Sequence, residues 1–579
     1  MAGDSAPAER VLRQPDLNTY RERRKEMASQ NFTMVFREPV PLSEGGYPGF
    51  NPRTEKAKGM IIERDVAVTM SDSVKIYIDI FLPEKEGKYP VLVNWGPYGK
   101  FGRIKHDLRG NCGISDDEFN EYTAFEAGDP VYWCRNGYII INPDPRGAWN
   151  SEGDLTFMSD QEAKDCYDLI EWAGTQSWSN GKVGMQGVSY LAWTQWRVAA
   201  LNPPHLAAIN PWEGVSDFYR ELAFHGGIPE THFGPLFQSN VSFSTTRLEN
   251  YLEMQKRHPL FDDYWASKNA DLSKITVPAF IVASWTDHGL HARGTLEGFK
   301  KIASKDKWLL VHGRKKWWHF YQEENVEKQR QFFNRFLKGI DNHVKDWPKV
   351  TLEIREKYYV GNSRTEKEWP LARTQYTKLF LNASNGKLSR SPFKKKAQVR
   401  YNVNDINDKS QNAKFEFKFN KKTELTGHMK LKLWVQADGS DDMDLFVAIE
   451  KIDRAGYLVP FAFFGNHDDG AVALGWLRVS HRELDQERST PYQPIHKHQR
   501  EIKLKAGEIV PVEVEIWPSS TLFERGEKLR IVVQGSDIYS YPEERHSNEH
   551  TNTVNRGEHI IYTGSRYDSH LLAPVIPAD

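Results

Sequence analysis

The sequence predicts an α/β fold with a mostly parallel sheet, interrupted by a helical insertion and followed by an all-β region. Three observations predict it. Short apolar runs recur between residues 74 and 311, separated by turns and helical stretches, the rhythm that βα units produce. Between Trp212 and Leu272 that rhythm breaks into an aromatic-rich segment without sheet-like runs. From about Trp347 onward, alternating segments are divided by turn signals, the pattern of an all-β sandwich.

The N-terminal residues 1–60 are polar and punctuated by Pro39, Pro41, Gly45, Gly46, Pro48 and Gly49. They read as an arm draped over the main domain or a neighbouring subunit. The core then opens with strict alternation, Val74, Ile76, Ile78, Ile80 and Leu82 pointing one way, which predicts a half-buried strand. Further strands are expected at Val91–Val93, Tyr138–Ile141, Val183–Met185, Leu206–Ile209, Ala279–Val282 and Trp308–Val311. A helix is expected over 160–173, where Ala163, Cys166, Tyr167, Ile170 and Ala173 follow the 3.6 period. Another is expected over 323–337, with acidic residues in its first turn and Lys338-Gly339 at its end. The β-rich region shows alternation at Lys430–Val435, Val512–Ile516 and Leu529–Val533. The expected domains are therefore the arm at 1–60, the α/β core at 61–211 and 273–346, the helical insertion at 212–272 and the β domain at 347–579.

A chain of 579 residues is too long for one hydrophobic core. Its net charge of −1 points to no nucleic-acid or membrane-surface partner. The basic runs Arg21-Glu22-Arg23-Arg24-Lys25 and Lys394-Lys395-Lys396 are short and read as solvated faces. No apolar run is long enough to span a bilayer, and Met1–Gln14 lacks the apolar centre of a secretory signal. Cys112, Cys134 and Cys166 form an odd, small set that suits buried thiols in a reducing compartment, with no zinc spacing. A cytoplasmic protein is the expectation.

The chemistry-bearing segment is Val183-Gly184-Met185-Gln186-Gly187-Val188-Ser189-Tyr190-Leu191-Ala192. A short apolar strand runs into a serine flanked by small residues and then into a helix carrying Trp193, Trp196, Val198 and Ala199. A sharp strand-to-helix turn of this kind presents a nucleophilic hydroxyl at the open end of a sheet. Ser189 is therefore the candidate nucleophile.

Other segments occur in a telling order: Pro97-Tyr98-Gly99-Lys100 after a strand, Asp144-Pro145-Arg146-Gly147 with Ser151 and Gly153, then Leu477–Arg482 and Phe523–Arg530 in the β region. With Gly187-Val188-Ser189-Tyr190-Leu191-Ala192, these make the chain resemble the cocaine esterase and X-Pro dipeptidyl-peptidase family of α/β-hydrolases over roughly residues 60 to 575. The family's serine motif is G-x-S-Y-x-G, so Ala192 departs from it. The resemblance implies an α/β-hydrolase core with a helical cap insertion and a C-terminal all-β jelly roll. It also implies that Tyr98 lends its phenol to an oxyanion hole beside the backbone N–H of Tyr190, two donors worth about 10²-fold or more each.

In this fold the acid follows the serine and precedes the histidine. Trp285-Thr286-Asp287, just past the run Ala279–Ser284, resembles the family's W-x-D acid, which makes Asp287 the candidate partner of the imidazole. His288 and His291 beside it read equally as pocket-lining or as packing residues. The family's base lies in a G-P-W-x-H segment after the last strand, where this chain has Trp317. Two candidates remain: His312, at the strand end and in an H-G-x-x-K-W segment, and His319, which keeps W-x-H but comes two residues late. Arg314, Lys315 and Lys316 read as a solvated turn in preference to an anion site.

The leading functional expectation is a serine hydrolase that cleaves a carboxylic ester or amide of a small molecule through an acyl-Ser189 intermediate, with no metal or organic cofactor. An aminopeptidase would need a fixed carboxylate for the substrate amine, for which Glu213 and Glu221 are unmarked candidates. A biosynthetic acyltransferase or cyclase would exploit a dry cavity built from Trp212, Phe218, Tyr219, Phe224, Phe233 and Phe237. A degenerate binding protein is the remaining class. Self-association through the arm or the β domain is a further expectation.

Overall fold

The structure is a computed structural model that describes residues 32–102, 110–115, 118, 120–542 and 547–577. The basic run Arg21–Lys25 and the segment Met1–Gln14 lie outside the described residues.

The central sheet is built from β1 (Arg53–Ala57), β2 (Met60–Thr69), β3 (Lys75–Pro83), β4 (Tyr89–Val93), β5 (Ile139–Asp144), β6 (Ser179–Val188), β7 (Leu206–Trp212), β8 (Ala279–Ser284), β9 (Lys307–His312) and β10 (Val350–Lys357). Each expected apolar run from residue 74 to 311 lies in one of these strands, save that Val74 and Tyr138 stand one residue before theirs. The spatial order is β1-β2-β3-β5-β4-β6-β7-β8-β9-β10. The first strands pair antiparallel, β3 with β5 included, whereas β4, β5, β6, β7, β8, β9 and β10 run parallel to one another. In such a sheet the loops leaving the C-terminal ends of the parallel strands share one edge, where sites of open α/β sheets form. The loops after β4, β6, β8 and β9 carry the residues of interest here.

The alternation in β3 predicts a half-buried strand, yet β3 is covered on both faces. Ile76, Ile78 and Ile80 are buried on one side, and Asp79 and Phe81 on the other. The second face is covered because Asp79 takes Arg64 at 2.7 Å and Lys100 at 3.3 Å, while Phe81 joins an apolar cluster with Trp133 and Cys134.

Helices α1 (Pro130–Arg135), α2 (Asp160–Thr175) and α3 (Tyr190–Ala199) pack on the sheet. Ser159 caps α2 by accepting from the Glu162 N–H, and Cys166, Leu169, Ile170 and Ala173 face the core. The insertion holds α4 (Phe233–Asn240), α5 (Tyr251–Arg257) and α6 (Asp263–Ser267), with a one-turn π segment at Tyr219–Ala223. It also contains two-residue strands, which the aromatic composition did not announce. One of these, Leu248–Glu249, pairs with Phe36–Arg37 of the N-terminal arm, and Val40 N–H donates to Ser242 O. Residues 36–40 of the arm thus lie on the chain's own insertion, whereas Arg53–Ala57 joins the central sheet as β1. After it come α7 (Ala292–Lys301), α8 (Lys316–Tyr321) and α9 (Glu323–Leu337), with Gly339 in the left-handed region just past the end of α9 (φ 72°).

Beyond β10 the chain is β-rich with its own apolar core. The long strand Thr423–Asp438 pairs with Val510–Phe523, Glu558–Thr563 and His570–Ile576. Along it Leu431, Leu433 and Val435 are buried while Lys430, Lys432 and Trp434 are half-buried on the outer face. A hairpin of Phe461–Phe463 and His467–Gly470 leaves this region and reaches the α/β core, where Phe464 N–H donates to Thr286 O at 3.0 Å. The three cysteines are free and buried. Among the described residues, no helix is long and apolar enough to cross a membrane.

Candidate active site

Strand β6 ends at Val188 and helix α3 begins at Tyr190, so Ser189 alone makes the turn. Its backbone sits at φ 59°, ψ −114°, a strained conformation that costs about 1–3 kcal/mol and persists only where the surroundings enforce it. Two hydrogen bonds enforce it: Val188 N–H to Glu126 O at 3.1 Å and Ser189 N–H to Trp212 O at 2.9 Å. Gly187 lies at φ 129°, and a Cβ there would come within 2.5 Å of Leu191 Cβ. Ala192 fits in place of the family's glycine because it faces Gly214, whose own added Cβ would meet Ala192 Cβ at 3.2 Å. The Tyr190 phenol is engaged by Glu162 at 2.9 and 3.0 Å, leaving its backbone N–H at the helix N-terminus beside Ser189.

Past β8 the chain reaches Asp287 and folds back at once. Its carbonyl accepts from Leu290, His291 and Ala292 N–H at 3.4, 3.2 and 3.0 Å, a tight turn that opens α7. Gly289 makes this turn possible: at φ 92°, any Cβ would strike Asn548 Nδ2 at 1.9 Å. The turn aims His291 inward. His291 Nδ1 lies 2.5 Å from Asp287 Oδ2, and His291 Nε2 lies 3.1 Å from Ser189 Oγ. Ser189, His291 and Asp287 form one buried hydrogen-bonded line.

The structure does not bring His312 or His319 to Ser189. In register His312 lies opposite Ser284, and its Nε2 sits 3.0 Å from Glu213 Oε1. The rings of His312 and His319 pack at 4.0 Å, and His319 Nδ1 faces Asn325 Nδ2 at 3.1 Å. The physical reason is the shortness of the connection after β9. It enters α8 within a few residues, so the side chain delivered to the acid is Lys316. Lys316 Nζ is 2.9 Å from Asp287 Oδ2 and 3.2 Å from His291 Nδ1. The expectation of a solvated Arg314-Lys315-Lys316 turn is corrected accordingly. Lys316 and Lys315 are buried, Lys315 donates to Asn111 O at 2.8 Å, and Arg314 pairs with Glu353 at 2.8 Å.

These contacts set the charges. Burial opposes ionisation of Asp287, but the Lys316 ammonium and His291 overcome it and hold the carboxyl below the usual carboxylate range. Burial, then Lys316, push the His291 imidazole below its ordinary value against the pull of Asp287. Burial also opposes the Lys316 charge, yet Asp287, Glu213 and Glu126 raise it. The line therefore rests with an ionised acid, a neutral imidazole and an ammonium that neutralises the acid. His288 is a packing residue: burial lowers it to about 3, and its Nδ1 accepts from Leu474 N–H at 3.3 Å. The donor atoms of Glu213, Asp287 and His291 lie within 4.8 Å of one another, but Lys316 already supplies a cation to that group.

Tyr98 follows β4 in a loop tied down by Lys100, whose N–H donates to Asp144 Oδ1 at 2.8 Å and whose ammonium lies 2.7 Å from Asp65. Tyr98 lines the same cavity as Ser189, and its ring meets Phe125 and Tyr190 edge-on at 5.0 and 6.1 Å. A cavity of about 30 Å³ at Ser189 is lined by Tyr98, Glu126, Phe233, Phe237 and Phe464, among others. It shares Tyr98, Phe125 and Asn240 with a wider cleft of about 1200 Å³. Of the expected aromatic wall, Phe233 and Phe237 reach the cavity. Phe218, Tyr219 and Phe224 pack into the core, and Trp212 rests on Phe320 at 5.1 Å. Glu221 is committed elsewhere, pairing with Arg293 at 2.6 Å. Residues missed by sequence reasoning are Lys316 and Glu126. His291 was noticed but not assigned, although its spacing of four from Asp287 across a glycine was a readable signal.

An α/β core with a strained serine at its strand-to-helix turn, hydrogen-bonded to a histidine–aspartate pair, defines a serine hydrolase. Comparison with known proteins agrees. Residues 72–247 and 238–321 match the X-Pro dipeptidyl-peptidase (S15 family), and residues 342–572 match the X-Pro dipeptidyl-peptidase C-terminal non-catalytic domain. A crystal structure of a CocE/NonD family hydrolase from Staphylococcus aureus superimposes with a TM-score of 0.88 at 43% identity, covering 95% of this chain and 100% of the other. Cocaine esterase from Rhodococcus sp. is 24% identical over 89% of this chain and 98% of its own length. A putative Xaa-Pro dipeptidyl-peptidase from Streptomyces avermitilis is 23% identical over 51% of this chain and 47% of its own. The chain belongs to the CocE/NonD family of hydrolases.

Proposed function

We propose that this enzyme hydrolyses carboxylic esters of small molecules through an acyl-Ser189 intermediate, with His291 as base and Asp287 as the group that orients it. The observation that carries this reading is the unbroken line from Ser189 Oγ to His291 Nε2 at 3.1 Å and from His291 Nδ1 to Asp287 Oδ2 at 2.5 Å. The Asp287 contact fixes the proton on Nδ1 and leaves Nε2 to accept from the serine hydroxyl. In acylation the Ser189 proton moves to Nε2 as Oγ bonds the carbonyl carbon, and the carbonyl π pair moves to oxygen. The Tyr98 hydroxyl and the Tyr190 N–H receive that oxyanion. Collapse expels the alcohol, which takes the proton back from His291, and water repeats the sequence on the acyl-enzyme.

The pocket favours esters over peptides with a free amine. The carboxyl in the cavity, Glu126, is held neutral up to about 8 by burial, and Glu213 and Glu221 are engaged by His312 and Arg293. None of Glu126, Glu213 and Glu221 therefore offers a free anion to a substrate ammonium at neutral pH. The β-rich region fits a jelly roll, and the segment 212–272 a cap: the hairpin at Phe461–Gly470 and helix α4 both contribute cavity walls through Phe464, Phe233 and Phe237.

A fluorophosphonate probe tests the reading. Stoichiometric labelling, mapped by peptide mass spectrometry to Ser189 and abolished in Ser189→Ala, is the expected result. Labelling at another residue, or none in the folded protein, sinks it.

A further inference from the structure

The cavity at Ser189 contains a group for which the acyl-serine mechanism above has no use. Glu126 is 2% exposed, and its backbone is in the left-handed region at φ 64°, a conformation that costs energy unless the surroundings impose it. Its carbonyl takes the Val188 N–H at 3.1 Å, which fixes the residue directly to the elbow. Its Oε1 accepts from the Trp317 indole N–H at 3.0 Å. Its Oε2 is buried without a fixed partner, and the carboxyl lines the same cavity as Ser189. A buried carboxyl oxygen left unpaired inside a reaction cavity calls for an explanation.

The indole N–H can only donate, so Oε1 serves as the carbonyl oxygen of the acid and the proton belongs on Oε2. Glu126 lines the cavity shared with Ser189 and Tyr98. A neutral carboxylic acid kept dry is a strong donor to a developing negative charge, whereas its anion would repel that charge. We propose that Glu126, as a neutral acid, is a third hydrogen-bond donor of the catalytic centre, directed from Oε2 at the reacting acyl group alongside Tyr98 and the Tyr190 N–H. This rests on the acyl-Ser189 reading.

The groups facing Glu126 make the proposal measurable. Lys316 and Trp317 approach from α8, Ser189 from the elbow and Asp287 from the acid turn. Tyr98 and Tyr321 face it from the β4 loop and α8. Burial raises Glu126 most; Lys316, Trp317 and Ser189 oppose that, Asp287 adds to it, and the result is about 8. Tyr98 and Tyr321 are driven far above their ordinary range, Lys316 is raised and His291 lowered. Of these groups, Glu126 is the one that changes charge between pH 7 and 9. It is neutral below that window and anionic above it, so activity falls as pH rises through it.

The experiment is a pH profile of kcat for a phenyl ester, from pH 6 to 10, on the full-length wild type, Glu126→Gln and Glu126→Leu. Wild type is expected to lose activity about tenfold per pH unit above the Glu126 ionisation. Glu126→Gln keeps an N–H donor and cannot ionise, so it loses that alkaline fall and stays within about tenfold of wild type at pH 7. Glu126→Leu is expected to lower kcat about 10²-fold at pH 7, the usual cost of one oxyanion donor, with KM little changed. A Glu126→Leu enzyme within threefold of wild-type kcat, or a Glu126→Gln enzyme that keeps the alkaline fall, overturns the proposal. If Glu126→Leu fails to fold, the Gln profile decides. Turnover surviving in Ser189→Ala would instead defeat the acyl-serine reading, so the two failures are told apart.

Discussion

Replacing His291 by Ala is expected to lower kcat for ester hydrolysis by about 10⁴-fold or more, whereas His312→Ala and His319→Ala stay within tenfold of wild type. The size follows from the role: without a base on Nε2 the Ser189 hydroxyl cannot lose its proton as it attacks, and losing one member of a triad costs nearly as much as losing all three. The selectivity follows from position. His291 Nε2 is 3.1 Å from Ser189 Oγ, while His312 and His319 are occupied with Glu213 and Asn325. Steady-state kinetics on the three variants, each checked by circular dichroism, settles it. A folded His312→Ala or His319→Ala enzyme as crippled as His291→Ala would return the base to the loop after β9.

That comparison also marks where the sequence stops being legible. The strands were readable because each is a short apolar run bounded by turns, and α9 because its acidic first turn and terminal glycine coincide with its period. The place of Ser189 at a strand-to-helix turn was readable because the crowding there demands small neighbours, and Gly187 and Ala192 meet that demand. The partner of Asp287 was signalled only by a spacing of four across a glycine, which by itself assigns no role. Chain order in this fold sends attention to the segment after the next strand, and that segment does contain two histidines. What periodicity cannot express is a five-residue turn doubling back over a glycine pressed against Asn548, a residue about 260 positions away. Lys316 and Glu126 were hidden for a related reason. A lysine in a basic run reads as solvated until an acid is found beside it, and a glutamate in a loop reads as exposed until the elbow is found to rest on its carbonyl.

Asp287→Asn is expected to be doubly costly, and the second cost identifies Lys316. The first loss is catalytic. An amide at this position does not hold the proton on His291 Nδ1, and an equivalent change in a serine triad lowers kcat by about 10⁴-fold. The second is structural. Asp287 Oδ2 accepts from both His291 Nδ1 and Lys316 Nζ, so removing its charge leaves a fully buried ammonium without its closest counter-ion. Breaking one side of a buried ion pair typically costs about 3–5 kcal/mol, and the more distant carboxyl of Glu213 offsets only part of that. The apparent melting temperature of Asp287→Asn therefore drops well below that of the wild type. The double variant Asp287→Asn/Lys316→Met removes the orphaned charge together with the acid, and most of the lost stability returns while kcat does not. Lys316→Met alone leaves Asp287 and His291 paired but without the nearby cation. The imidazole then binds its proton more readily, so the acid limb of the kcat/KM profile moves to higher pH. If the double variant is no more stable than Asp287→Asn, the ammonium is not balanced by Asp287. If Lys316→Met leaves the acid limb in place, the lysine does not tune His291.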